Sequence, residues 1–122
     1  MNNYFFDSYA ILEVINNNKS YEKYFNLPII TTSHNVAEVY YSLLRSYNKK
    51  TADYWINNLN IELINFIGLD IVTRASIFKL ENKKENLSYI DCIGYIISLK
   101  YNMKFLTGDE KFEKKKNVEF VK

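Results

Sequence analysis

Short apolar runs rich in β-formers alternate along this chain with longer segments of helical period. Tyr4-Phe5-Phe6 reads as a first strand. Asp7-Ser8 then offers a helix N-cap, and Ala10, Ile11, Val14 and Ile15 follow at helical spacing. Pro28 to Thr32 reads as a second strand. Ser33 is placed to cap the next helix, whose Val36, Val39, Tyr40, Leu43, Leu44 and Tyr47 form an apolar stripe. Lys50 to Asn58 reads as a further helix and Ile61 to Phe66 as a third strand. Asp70 to Lys83 is helical through Ile71, Val72, Ala75 and Phe78. Ser88 opens a helix through Ile90, Ile93, Ile97 and Tyr101. Lys104 to Thr107 and Val118 to Val121 read as the last two strands.

Strand alternating with helix predicts an α/β fold. The expected form is three-layer α/β/α, with a central, mainly parallel sheet of about five strands. In such sheets, ligands bind beyond the carboxyl ends of the strands. Asp7 and Asp109 fall at two of those ends. Asp91 lies in the first turn of one helix and Glu38 in the second turn of another. Right-handed crossovers would start both helices on that same rim.

Composition narrows the class. At 122 residues, one domain with a real core is expected. Apolar residues make up 48% and charged residues 25%, as in soluble globular proteins. No apolar run approaches the roughly 20 residues that span a bilayer. Met1-Asn2-Asn3 brings no basic region and Asp7 interrupts the apolar run, which argues against a signal peptide. The single cysteine, Cys92, rules out an internal disulfide and fits a cytoplasmic location. A net charge of +2 is too small to argue nucleic-acid binding by itself. The asparagine and lysine richness is spread along the chain and reads as compositional bias.

The candidate chemistry lies in four acids, Asp7, Glu38, Asp91 and Asp109. Hard divalent cations such as Mg²⁺ and Mn²⁺ prefer carboxylate and water oxygens. A carboxylate-held ion can neutralise a phosphodiester and activate a bound water. Each acid also has a plainer use. Asp7 serves equally as an N-cap. Ser88-Tyr89-Ile90-Asp91 matches a capping box, which on spacing alone favours a cap over a ligand. Asp109 after Gly108 suits a turn. Glu38 lies away from the apolar stripe of its helix, as a solvated residue would.

Taken in order, these motifs resemble the PIN-domain family of metal-dependent ribonucleases. Phe5-Phe6-Asp7-Ser8 resembles the opening strand that ends in Asp and a hydroxyl residue. Ala37-Glu38 matches the Glu of the helix after the second strand. Ser88-Tyr89-Ile90-Asp91-Cys92 matches the later helix that carries an Asp. Thr107-Gly108-Asp109 with Phe112 matches the strand ending in Thr-x-Asp, and Val118 to Val121 the closing strand. The resemblance covers essentially the whole chain. It implies cleavage of single-stranded RNA by a metal-activated water. Asp7 and Asp91 would be central ligands of Mg²⁺ or Mn²⁺, with Asp109 completing the site. Glu38 would bind a second ion or orient the nucleophile. Ser8 and Thr107 would hydrogen-bond these carboxylates.

The chain departs from the family at Tyr9, where a small or polar residue is common, and at Cys92, where Ala is usual. Tyr9 is expected to narrow access beside Asp7, and Cys92 to be a small buried packing residue. A compact chain of this kind is similar to VapC-like toxins, which implies a small antitoxin partner and a homodimer. Alternatives are a PIN nuclease of RNA processing and a non-catalytic PIN-like module that binds RNA or protein. Four retained acids argue against the module. A receiver domain wants paired acids after the first strand, and Asp7 is single. Lys111 and Lys114-Lys115-Lys116 could guide a phosphate backbone or form a solvated turn. Arg45 reads as a surface arginine, and His34 makes a weak case for a general base. Most of the eleven tyrosines are expected in the core or a subunit interface, and Gly94 and Ala75 at close helix packing.

Overall fold

The computed structural model describes residues 3–122. Met1 and Asn2, part of the stretch that lacks a basic region, lie outside them. The five strands are β1 (Tyr4–Phe6), β2 (Ile29–Thr31), β3 (Ile61–Leu63), β4 (Lys104–Thr107) and β5 (Val118–Phe120). The helices are α1 (Ser8–Ile15), α2 (Ser33–Ser46), α3 (Lys49–Asn58), α4 (Leu69–Glu81) and α5 (Tyr89–Lys100). Short 3-10 turns at Lys19–Tyr24, Lys83–Glu85 and Glu110–Phe112 complete the regular structure. No helix is long and apolar enough to cross a membrane, among the described residues.

Every strand pairing is parallel, in the order β3-β2-β1-β4-β5. The chain steps outward from β1 to β2 and β3, then returns to lay β4 on the other side of β1. The carboxyl ends of β1 and β4 therefore flank the point where the winding direction reverses. Loops diverge there and leave a crevice.

Period-two alternation sends neighbouring side chains to opposite layers. Phe5 and Phe105 enter a core with Ile71 and Ala75 of α4 and Cys92, Tyr95 and Ile97 of α5. Phe6 and Leu106 enter the opposite core, with Ile11 of α1, Val39 and Leu43 of α2, and Ala52 of α3. The first core is strongly aromatic. The Phe105 ring lies 5.9 Å from Phe5, 5.7 Å from Tyr95 and 4.8 Å from Phe112. The Tyr95 hydroxyl leaves this cluster to donate to the Lys116 carbonyl at 2.7 Å.

Several sequence expectations shift at element ends. Thr32, not Ser33, caps α2, because Ser33 is already helical and the Thr32 hydroxyl accepts from the Asn35 N–H at 3.2 Å. β3 stops at Leu63, three residues early, because its one partner, β2, ends at Thr31 opposite it. β2 spans Ile29–Thr31, within the expected 28–32, and α4 ends at Glu81, not 83. The tyrosines also divide differently. Tyr21, Tyr24 and Tyr95 are buried, whereas Tyr41, Tyr47, Tyr54, Tyr89 and Tyr101 are exposed. Some asparagines have a backbone role: the non-glycine residues with positive φ are Asn17, Asn86, Asn102 and Asn117, among the described residues. Asparagine tolerates left-handed backbone better than other side chains.

Gly94 brings α5 onto the sheet. A Cβ there would sit 2.7 Å from the Phe5 ring and 3.3 Å from Phe105. Both rings are fully buried and have no open space to enter. Gly94→Ala is therefore expected to destabilise by about 1–3 kcal/mol through overpacking, even after the ~1 kcal/mol helix gain of alanine. Urea unfolding of the two proteins measures this, and an unchanged or raised midpoint would show that the rings have slack.

Candidate active site

Asp7 follows β1 directly, and its backbone N–H continues the ladder to the Leu106 carbonyl at 3.1 Å. Its side chain makes no helix-capping hydrogen bond. Instead its Oδ2 accepts from the Thr107 hydroxyl of β4 at 2.7 Å. Thr107 Oγ1 in turn accepts from the Asp109 N–H at 3.1 Å. One buried hydroxyl thus ties the two strand ends at the switch point together. Asp7 is only 3% exposed. Burial, followed by the charge of Asp91, pushes its carboxyl up to about 7, against the lowering effect of the Thr107 bond. Asp109 adds a smaller repulsion.

Asp91 sits in the first turn of α5, where the expected capping box forms. The Ser88 N–H donates to Asp91 Oδ2 and the Asp91 N–H donates to Ser88 Oγ, both at 3.1 Å. Capping and ligation are not exclusive here, because a carboxylate has two oxygens and several lone pairs. Burial raises the Asp91 pKa, the Ser88 bonds oppose this, and Asp109 raises it further. Asp109 caps the following 3-10 turn, accepting from the Lys111 N–H at 3.0 Å. The structure therefore couples Asp7, Asp91 and Asp109 electrostatically across the ends of β1, β4 and α5.

Glu38 enters by another route. Its Oε1 accepts from the Ser8 hydroxyl at 2.6 Å, next in sequence to Asp7. Behind Ser8 lies Asn35, which is 1% exposed and did not stand out in the sequence. The Asn35 amide donates to Ser8 Oγ at 2.9 Å, and Thr32 Oγ1 donates to Asn35 Oδ1 at 2.6 Å. The directions are forced. The Glu38 carboxylate can only accept, so the single Ser8 proton goes to it and Ser8 Oγ is left to accept from the Asn35 amide. With its NH2 turned to Ser8, Asn35 presents its amide oxygen to Thr32, whose hydroxyl donates to it while accepting from the Asn35 N–H. The available signal was spacing: Asn35 is three residues after the Thr32 cap and three before Glu38, on one helix face.

The donors are all carboxylate oxygens, the type that hard divalent cations select. They are not gathered into a finished cage: no group of three or more His, Cys, Asp or Glu side chains is placed to hold a metal ion, among the described residues. Other candidates lie elsewhere. His34 is exposed, and Arg45 is exposed above the Tyr41 ring at 5.8 Å. Cys92 is fully buried and burial pushes its thiol up to about 11, so it packs and does not react. Lys115 pairs with Glu85 at 2.8 Å.

The PIN domain family model matches residues 4–118. The chain belongs to the PIN domain family. Comparison with curated protein sequences finds no match. Among solved structures, VapC20 of Mycobacterium tuberculosis, a sarcin-ricin loop cleaving toxin, is similar at TM-score 0.76 and 14% identity, covering 98% of this chain and 99% of that one. VapBC2 from Rickettsia felis, bound to a DNA fragment from its promoter, gives 0.74 and 18%, covering 98% of each chain. A toxin-antitoxin complex from Klebsiella pneumoniae gives 0.68 and 15%, covering 93% of each. These likenesses show the fold: a five-stranded parallel sheet flanked by helices, as in the VapC structures.

Two predictions follow from this geometry. Folding lifts the Asp7 pKa from 3.8 to about 7, so the native state holds a proton that the unfolded state has lost between those values. Stability should therefore fall as pH rises through that window and stay low above it. In EDTA, Asp7→Asn should flatten the decline and be the more stable protein at pH 8, by on the order of 2–4 kcal/mol. A wild-type melting temperature that is level from pH 5 to 8 would contradict the raised pKa. Separately, Asn35→Ala leaves the Thr32 and Ser8 hydroxyls short of a partner and should cost about 1–3 kcal/mol in chemical denaturation. A cost near zero would mean that water replaces the amide freely.

Proposed function

We propose that this protein is a divalent-metal-dependent ribonuclease, an endonuclease on single-stranded RNA, and the toxin of a toxin–antitoxin pair. The observation that carries the nuclease reading is the buried Asp7, held by Thr107 at the switch point and charge-coupled to Asp91 and Asp109. A carboxyl group in that position is destabilised when ionised, and a bound cation relieves the strain.

Asp7, Asp91 and Asp109 would hold Mg²⁺ or Mn²⁺, and Glu38 would hold a second ion or orient the attacking water. Such an ion supplies charge neutralisation of the phosphodiester and a lowered pKa for bound water. The chain's own groups do the rest. Thr107 fixes the Asp7 carboxyl, the Ser88 box fixes Asp91, and the Thr32-Asn35-Ser8 chain fixes Glu38. Each carboxylate is thus oriented before substrate arrives, which is where such sites gain rate.

The toxin reading is supported by the family and by the fold shared with VapC structures, one of them an RNA-cleaving toxin and two in toxin–antitoxin assemblies. It implies a small antitoxin protein as partner, a homodimeric toxin and a cytoplasmic setting.

The test is cleavage of mixed single-stranded and structured RNA with Mn²⁺ and with EDTA. Wild type, Asp7→Asn and Asp91→Asn are purified identically. Cleavage should require metal and fall by at least about 100-fold in either variant. Mn²⁺ should also raise the wild-type melting temperature more than that of Asp91→Asn, by mass action on the folded state. Equal cleavage by all three proteins would point to a contaminant and remove the reading.

A further inference from the structure

Tyr9 is the next residue but one after Asp7, in the first turn of α1. Its ring packs against the Gly108 backbone so closely that a Cβ at Gly108 would overlap it. Gly108 is itself buried and in ordinary backbone conformation, so room for the Tyr9 ring and the Val121 carbonyl, not backbone freedom, explains glycine there. Tyr9 is half-buried. It lines an open cleft of about 490 Å³ with Gly108, Asp109, Glu110, Lys111 and Lys122. The cleft thus adjoins the carboxylate cluster through Asp109. Its charges are asymmetric. Lys122 is paired with Glu110. Lys111 hydrogen-bonds only weakly, to the Asn86 carbonyl at 3.4 Å, and its charge is felt at Asp91.

An aromatic ring backed by main chain, with a displaceable ammonium lining the same cleft, suits a nucleotide. We propose that Tyr9 is a stacking platform for one unpaired nucleobase of the RNA substrate, and that Lys111 binds the adjoining phosphate. This rests on the ribonuclease reading and adds to it how the strand is held. An aromatic face accepts any base, so the platform selects for an unpaired nucleotide, not for sequence. Seated there, the strand passes its next phosphate toward Asp109.

The test measures binding in EDTA to an RNA that wild type cleaves with metal, by fluorescence anisotropy of the labelled strand. Tyr9→Phe should bind like wild type, and Tyr9→Leu, which keeps bulk without a π face, about tenfold weaker. Placing single abasic sites along the strand should reveal one position that weakens wild type by a similar factor. At that position Tyr9→Leu should lose nothing more. Lys111→Gln should weaken binding uniformly and lower the salt dependence by about one phosphate contact. Wild-type binding that is indifferent to every abasic position overturns the platform even if Tyr9→Leu fails to fold. Tyr9→Leu binding as tightly as wild type overturns it too, leaving metal-dependent cleavage intact. An absence of any RNA cleaved by wild type removes the ribonuclease reading and the platform together.

Discussion

The structure turns on one carboxyl group placed where water is scarce. Asp7 is 3% exposed, at the end of a strand flanked by neighbours on both sides. An ionised carboxylate there loses most of its hydration, and one hydroxyl, from Thr107, replaces only part of it. Asp91 and Asp109 add repulsion to that deficit. A purely structural site would place an apolar or amide residue at this position. What the arrangement gains is a group whose charge is stabilised only when a cation or a proton arrives.

Topology explains why the deficit falls at this point. Winding outward to β3 and returning to β4 leaves β1 central, with β4 newly beside it. The two strand ends must diverge into α1 and into the turn at Glu110–Phe112. Thr107 bridges the gap with one hydroxyl, accepting from the Asp109 N–H and donating to Asp7. The same atom therefore closes the loop after β4 and orients the carboxyl after β1. Local turn chemistry and the candidate site share their atoms, so neither can be altered alone.

This sharing also decided what the sequence made legible. The alternation of apolar runs was enough for the layers and for the parallel sheet, because the Phe5/Phe6 and Phe105/Leu106 pairs each send one residue to either core. The three coupled acids were visible because strand ends and helix starts are where such folds place ligands. The cap, turn and ligand readings of Asp91 and Asp109 looked like rivals in the sequence. In the fold, the cap and turn hydrogen bonds form beside the coupled carboxylates, so the plainer use supports the orientation that chemistry would need. Thr32 was hidden by Ser33, an equally good cap one residue along. The end of β3 was hidden because apolar residues continue past the last available partner. Asn35 was hidden because a polar residue on a helix is ordinarily read as solvated, and only the fold brings Ser8 against it.

The Asn35 chain shows how a buried polar network can set direction as well as position. An amide presents donors on one side and an acceptor on the other, so it reads the polarity of its neighbours. Glu38 is committed first, since a carboxylate can only accept. That commitment points the Ser8 proton at Glu38, the Asn35 amide protons at Ser8, and the Thr32 proton at the Asn35 oxygen. Three hydrogen bonds thereby join the Thr32 cap of α2 to the Glu38 carboxylate. Replacing any member by an isostere of opposite polarity would reverse or break the order, whereas a change of size alone would only loosen it. In this site, the carboxylate that meets the residue next to Asp7 also fixes which way the hydroxyl that starts α2 points its proton.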